Sequence, residues 1–299
     1  MTTAPRSAAA AHVLMGMISL LVVVDANVSV DDGLAASVSS PGDGSPPPGA
    51  PPWTHSSYHS VDGNGTWDPQ PALLLSRVPA TAVAAALRRR KWPSKPTRWA
   101  SSIAAFVRAD RAAPPPEGGI VFVGSSTIRL WKNLSGEFPG LGVIGRGFGG
   151  SQLPDSTYFA PTIIVPYRPR QVVLFAGSND LAAQSSPQDV AASFAFFVAV
   201  LKSLVPRAHL SFLEITSSPS RWGQREHVVA ANSMIKRLCN KSGVDFIPVR
   251  DNFLESTKGK DGTPSTRPRA DLFAGDRLHL NAAGYRILAD AVRPFLVPP

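Results

Sequence analysis

Cysteine is almost absent from this sequence: Cys239 stands alone in 299 residues. A single thiol closes no intramolecular disulfide and builds no cysteine-based zinc site. It lies in the apolar pattern Met234-Ile235-x-x-Leu238-Cys239, which reads as a buried small hydrophobe rather than a reactive group. Acidic residues are also few, 21 against 30 Lys and Arg, for a net charge of +9. Such a balance admits nucleic acid or anionic membranes as partners. The excess, however, comes from scattered arginines and one run, Arg88-Arg89-Arg90-Lys91. No RNA-module signature, zinc-finger spacing or basic heptad accompanies it, so a solvated surface and no nucleic-acid partner are expected. His12, His55, His59, His209 and His227 show no ligand spacing with one another. Neither a metal nor a cofactor is expected.

No carboxylate precedes Asp25. Arg6 is followed by an apolar run from Ala8 to Val24, and Val24-Asp25-Ala26 offers a small-residue cleavage point. This order is that of a secretory signal, assigned to residues 1–26. An uncleaved membrane anchor and an organellar transit peptide are the alternatives. The sequons at Asn27, Asn64, Asn133 and Asn240 agree with a secreted or secretory-pathway protein. No later stretch is expected to be long and apolar enough to cross a bilayer.

Proline (29) and glycine (24) exceed average usage, and most of the excess proline lies before residue 120. Residues 27–70, rich in Pro, Gly and Ser, cannot bury enough apolar surface to offset ordering and form a linker. Residues 71–96 form an irregular extension with possible short helices over 71–87. From residue 97 to 299 the pattern becomes regular, and one domain is assigned there. Trp99, Ile103, Phe106 and Val107 recur at helical spacing. Short continuous apolar runs come next at 120–123, 142–144, 172–176, 210–215 and 244–249, the pattern of strands buried on both faces. Helices are expected over 187–204, 223–241 and 281–294, the first with Ser186 as N-cap, Pro187 at the first position and Asp189 three residues on. Alternating strands and helices imply an α/β fold with a parallel sheet covered on both sides. In such a sheet, chemistry sits at the carboxyl ends of the strands.

Polar motifs occupy those strand ends. Gly124-Ser125-Ser126 comes after the first strand and exposes a hydroxyl, or simply forms a turn with Ser as N-cap. Gly145-Arg146-Gly147-Phe148-Gly149-Gly150 comes after the second. It matches G-x-G-x-x-G by letter, but Pro154 and Pro161 interrupt the helix that a dinucleotide site needs next, and no carboxylate stands over 165–175. Both features argue against such a site. Bare glycine N–H groups there suit an oxyanion. Gly177-Ser178-Asn179-Asp180 comes after the third strand with a side-chain amide, or an Asn turn. Asp276-Arg277-Leu278-His279 precedes the last helix, and a carboxylate three residues before an imidazole can orient the ring. There, Asn281 as helix N-cap is the plainer reading. Trp131, Trp222 and Phe148 read first as packing residues; Phe148 and Arg221 are also candidates to line a pocket.

Together these blocks resemble the SGNH, or GDSL-type, hydrolase family over about residues 97–296. The resemblance implies a three-layer α/β/α sandwich with a flavodoxin-like five-stranded parallel sheet. It implies a serine esterase in which Ser126 is the nucleophile, His279 the base and Asp276 its partner. Gly150 and Asn179 would be oxyanion donors beside the Ser126 N–H. The expected substrate is a small-molecule, lipid or glycan ester, with short acyl groups favoured because no extended apolar lid is evident. Acyl transfer to an alcohol through the same residues, or a secreted binding protein without turnover, are the alternatives. The usual first block of the family has Asp where this chain has Ser125. The G-x-S-x-G elbow of ordinary α/β-hydrolases is absent.

Overall fold

The computed structural model describes residues 96–258 and 263–299. The signal segment 1–26, the linker 27–70 and all but the last residue of the extension 71–96 therefore lie outside the described residues. Five strands form one parallel sheet: β1 (Ile120–Gly124), β2 (Val143–Gly147), β3 (Gln171–Phe175), β4 (His209–Leu213) and β5 (Asp245–Ile247). Their order is β2-β1-β3-β4-β5, the flavodoxin-like arrangement. All five coincide with the predicted apolar runs to within a few residues. β1 and β3 are buried along their whole length, as central strands with helices on both faces must be.

Successive side chains of each strand divide between the two faces. Ile120, Phe122, Val173 and Phe175 join a core cluster with Ile128, Trp131, Leu134 and Leu288. These come from α2 (Ser126–Leu130) and the loop after it, α3 (Leu134–Glu137), and α8 (Ala282–Val292). Phe122 stacks on Phe138 at 5.8 Å and meets Trp131 edge-on at 5.8 Å, so Trp131 is the packing residue expected. The other helices are α1 (Ala100–Ala112), α4 (Leu153–Ile163), α5 (Ser178–Ala182), α6 (Pro187–Leu204) and α7 (Arg225–Ser242). Phe148 is fully buried between Trp99 and Phe159. It is core, not pocket wall. Cys239 is buried on α7, and burial pushes its thiol up to about 12.

The helix α6 starts as its sequence dictates. The Ser186 hydroxyl accepts from the Asp189 N–H at 3.1 Å, and the Asp189 carboxylate accepts from the Ser186 N–H at 3.2 Å. Against expectation, α6 is long and apolar enough to cross a membrane by length and composition. Its apolar excess has a local cause. It packs on both α4 and α7, and Phe194 meets Phe212 of β4 edge-on at 4.9 Å. The antiparallel hairpin of β6 (Leu254–Lys258) and β7 (Pro264–Pro268) was not expected. Its strands are largely polar, so no apolar alternation marks them.

The G-x-G-x-x-G match is explained by packing. Arg146 is buried, paired with Asp110 at 2.5 Å, and donates to the Tyr167 hydroxyl at 2.8 Å. The Tyr167 hydroxyl donates to the same carboxylate at 2.5 Å. This network ties α1 to β2 and directs the side chain between the first two glycines into protein.

Two further carboxylates are buried where α4 begins. Asp155 closes a capping box, accepting from the Gln152 N–H at 2.8 Å. Asp180 accepts from the Leu153 N–H at 3.1 Å, which joins the end of β3 to α4. Burial pushes Asp155 up to about 6 and Asp180 up to about 7, with the Asp155 charge adding to the second shift. Both groups bind a proton more tightly folded than unfolded, where 3.8 is the ordinary value. Their contribution to stability is complete below that value and is lost as pH rises through about 6 and about 7. Asp180→Asn keeps an acceptor for Leu153 and removes one titration. The thermal midpoint of the wild type should therefore fall relative to Asp180→Asn between pH 4 and pH 8, measured by calorimetry. Parallel pH profiles for the two proteins would contradict the assignment.

Candidate active site

The carboxyl ends of β1 and β3 lie side by side, with Gly124 opposite Phe175. Gly124 has φ +155°, and a Cβ there would stand 2.1 Å from the Phe175 carbonyl oxygen. Only glycine lets the chain turn so close to β3. Ser125 then occupies the N-cap position of α2 without a side-chain cap bond, and Ser126 opens the helix.

His279 arrives from the other end of the chain. Asn281 caps α8, its side-chain oxygen accepting from the N–H groups of Ala283 (2.9 Å) and Gly284 (3.1 Å), and its amide donates to the Asp271 carbonyl at 2.7 Å. The plainer reading of Asn281 thus holds, and it also fixes the preceding turn. In that turn Arg277 adopts φ +58°, costly for a residue with a Cβ by roughly 1–2 kcal/mol. The Asp276 carboxylate holds the turn, accepting from the N–H groups of Leu278 (2.9 Å) and His279 (3.0 Å).

The result is a continuous chain of contacts. Ser126 Oγ lies 3.0 Å from His279 Nε2, and His279 Nδ1 lies 2.5 Å from Asp276 Oδ2. The Asp276 carboxyl is held down at about 2, chiefly by the His279 backbone N–H, then by the Leu278 N–H and the His279 ring. It stays anionic, with its side chain about half exposed to water.

Ser126, Asn179 and His279 line one small cavity of about 40 Å³, with Ser125 beside them. Asn179 is on α5, and its amide donates to the Ser151 carbonyl at 3.0 Å. This bond ties the end of β3 to the glycine loop after β2. Gly150 itself does not line the cavity. It precedes Ser151 with φ +77°, open to glycine, and its N–H has no acceptor among the described residues. Asp276 stands behind His279 rather than on the wall. Among the described residues, no cluster of three His, Cys, Asp or Glu side chains is placed to hold a metal.

One wall was not expected. Ile215, Thr216 and Ser218, from the loop after β4, join Arg221, which had been a candidate for the lining. The strand-end rule pointed to this loop, but its small polar residues form no motif. Asn232 of α7 shapes it, accepting from the Ile215 N–H at 3.0 Å and donating to the Ile215 carbonyl at 2.9 Å. No signal in the sequence distinguishes Asn232 from a surface residue.

Solved structures share this fold. A GDSL-like lipase from Bacteroides thetaiotaomicron superposes with a TM-score of 0.52 at 17% identity, covering 65% of this chain and 96% of that one. A protein of Bacteroides fragilis assigned as an acylhydrolase gives 0.53 at 17% identity, covering 64% and 93%. A protein of Streptococcus pneumonia assigned as a platelet activating factor gives 0.56 at 18% identity, covering 72% and 99%. No curated protein matches the chain. The family model of the GDSL-like lipases and acylhydrolases matches residues 121–287, a span that runs from β1 through the Asp276–His279 turn into α8. The chain belongs to the GDSL-like lipase/acylhydrolase family and is a carboxylic ester hydrolase.

Proposed function

We propose that the protein hydrolyses short-chain acyl esters through Ser126, His279 and Asp276, with Gly150, Asn179 and the Ser126 N–H as oxyanion donors. The observation that carries this reading is the 3.0 Å approach of Ser126 Oγ to His279 Nε2, within the reach a general base needs. Ser126 Oγ attacks the ester carbonyl carbon as His279 Nε2 takes its proton. The tetrahedral oxyanion is met by the N–H donors. The bond to the alcohol oxygen breaks, and His279 returns the proton to the leaving alcohol. Water then attacks the acyl-enzyme with His279 again as base, releasing the acid and restoring Ser126. Asp276 keeps Nε2 facing the serine and stabilises the ring when it is charged.

The size of the cavity supports short acyl groups. Its volume of about 40 Å³ corresponds to about three water-sized positions. Phe175, Ala176, Ile215 and Leu278 supply its apolar lining. The alcohol half can be a small molecule, a lipid or a glycan. Ser125, where the family's usual block has Asp, faces the same cavity and bears on its shape.

Ser126→Ala should abolish hydrolysis of p-nitrophenyl acetate and labelling by a fluorophosphonate. Near-wild-type rates in that variant would remove Ser126 from the mechanism. Asn179→Ala should fold normally and lose about 10²–10³-fold in turnover, the usual cost of one oxyanion donor.

Asp276→Asn keeps an acceptor for the turn but loses the anion behind His279. Turnover should fall by between about 10-fold and about 10⁴-fold, the upper figure being that of a buried triad carboxylate. Asp276 is ionised down to about pH 2, so the loss should be seen across the whole range from pH 4 to pH 7. A variant as active as wild type across that range would leave Asp276 without a role.

A further inference from the structure

The cavity wall contains a cation and no carboxylate. Arg221 is half-buried in a short 3-10 turn (Pro219–Gln224) at the exit of β4. One guanidinium nitrogen, Nη1, donates to the Ser178 hydroxyl at 2.8 Å, directly beside Asn179. No Asp or Glu lines the cavity, and Arg221 makes no ion pair among the described residues. Asp276 is occupied behind His279 by two backbone N–H groups and the ring. Burial lowers the Arg221 pKa. Its neighbour Arg225, in contrast, pairs with Glu226 at 3.3 Å.

A desolvated cation that lacks a partner is costly, and the cost is recovered when an anion binds there. Guanidinium offers five donors in a planar fork matched to a carboxylate, and the Ser178 contact uses one. The turn is held in place, because the Ser220 N–H donates to the Arg277 carbonyl at 3.0 Å, joining it to the turn that carries His279. Other cations stand near the glycine loop. A Cβ on Gly150 would be 3.2 Å from Arg98 Nη2, and one on Gly149 would be 3.0 Å from Arg129 Nε.

We propose that Arg221 determines specificity by binding a carboxylate carried by the ester substrate. The proposal rests on the assignment of Ser126 as nucleophile and names the substrate class of that site. The carboxylate can belong to the acyl half, as in a dicarboxylic half-ester, or to the alcohol half, as in an acylated uronate sugar.

Two matched pairs of esters separate these sources. For the acyl side, 4-nitrophenyl hydrogen glutarate is compared with its methyl ester. For the alcohol side, O-acetyl galacturonate is compared with its methyl ester by acetate release. The wild type should prefer the charged member of at least one pair. Arg221→Gln should lower that charged-to-neutral ratio of kcat/KM by about ten- to a hundredfold, mainly through KM. Arg221→Lys should recover part of the ratio, since it keeps the charge without the fork. Arg237→Gln, which removes an exposed charge on α7, should leave the ratio at its wild-type value and controls for net charge. Neutral esters turned over with charged-to-neutral ratios that Arg221→Gln does not change would overturn this inference alone. Failure of the wild type to hydrolyse any of the esters would overturn it together with the role of Ser126.

Discussion

Parallel pairing of β1 with β3 is the constraint on which the rest of the site depends. It places Gly124 beside Phe175, residues far apart in sequence, with a carbonyl where a Cβ would otherwise stand. Ser126 comes two residues after one strand end and Asn179 four after the other. The chain order β2-β1-β3 makes this the point where connections leave the sheet in opposite directions, opening a crevice at the carboxyl edge. The glycine loop after β2 is drawn into the same crevice by the Phe148 N–H, which donates to the Gly124 carbonyl at 3.0 Å.

Around that crevice, polar groups work at two depths. Buried carboxylates are structural: Asp180 accepts from Leu153 and Asp155 from Gln152, so the elements after β2 and β3 are bonded to one another. Burial favours their neutral forms, and they hold loops rather than carry charge to the surface. Asp276 is the opposite case. Half exposed and held by backbone N–H groups, it remains anionic and lends its charge to His279. The same residue type thus serves opposite ends, and solvent access together with the number of donors decides which. Arg146 and Arg221 form a similar pair. The first is neutralised by Asp110 inside the protein, whereas the second faces the cavity with a hydroxyl for company.

Much of this was legible in the sequence, for physical reasons. Continuous apolar runs such as Ile120–Val123 and 172–176 have the pattern of strands buried on both faces, and the structure places β1 and β3 there. Ser186 with Asp189 specifies a helix start locally, needing nothing from the rest of the chain. The strand-end rule pointed to Ser126 and Asn179, the family resemblance added His279, and all three line one cavity. Less was legible where neither an apolar period nor a local motif marks the contact. The hairpin of β6 and β7 pairs polar residues with one another and leaves no periodic signal. The apolar excess of α6, which passes for a membrane span by length and composition, went unremarked in the sequence, and its cause is the packing on α4 and α7. Asn232, which clamps the exit of β4, is one Asn among helix residues until its partner Ile215 is in place.

What the sequence determined by itself is the local chemistry at each strand end. A glycine permits the turn after β1, Asn281 caps α8, and Asp276 lies three residues before His279, close enough to fix its ring. Those features depend on neighbours in the chain, so a linear reading finds them. Tertiary structure decided which of them meet. The 3.0 Å contact between Ser126 and His279 joins residues at opposite ends of the domain, and it requires the sheet order and the seat of α8 against the core. Tertiary structure also decided the fate of the charges. Arg146 and Arg221 look alike in sequence. Only the fold gives one a buried carboxylate and leaves the other at the cavity wall, because pairing depends on what packs against a side chain and not on what precedes it.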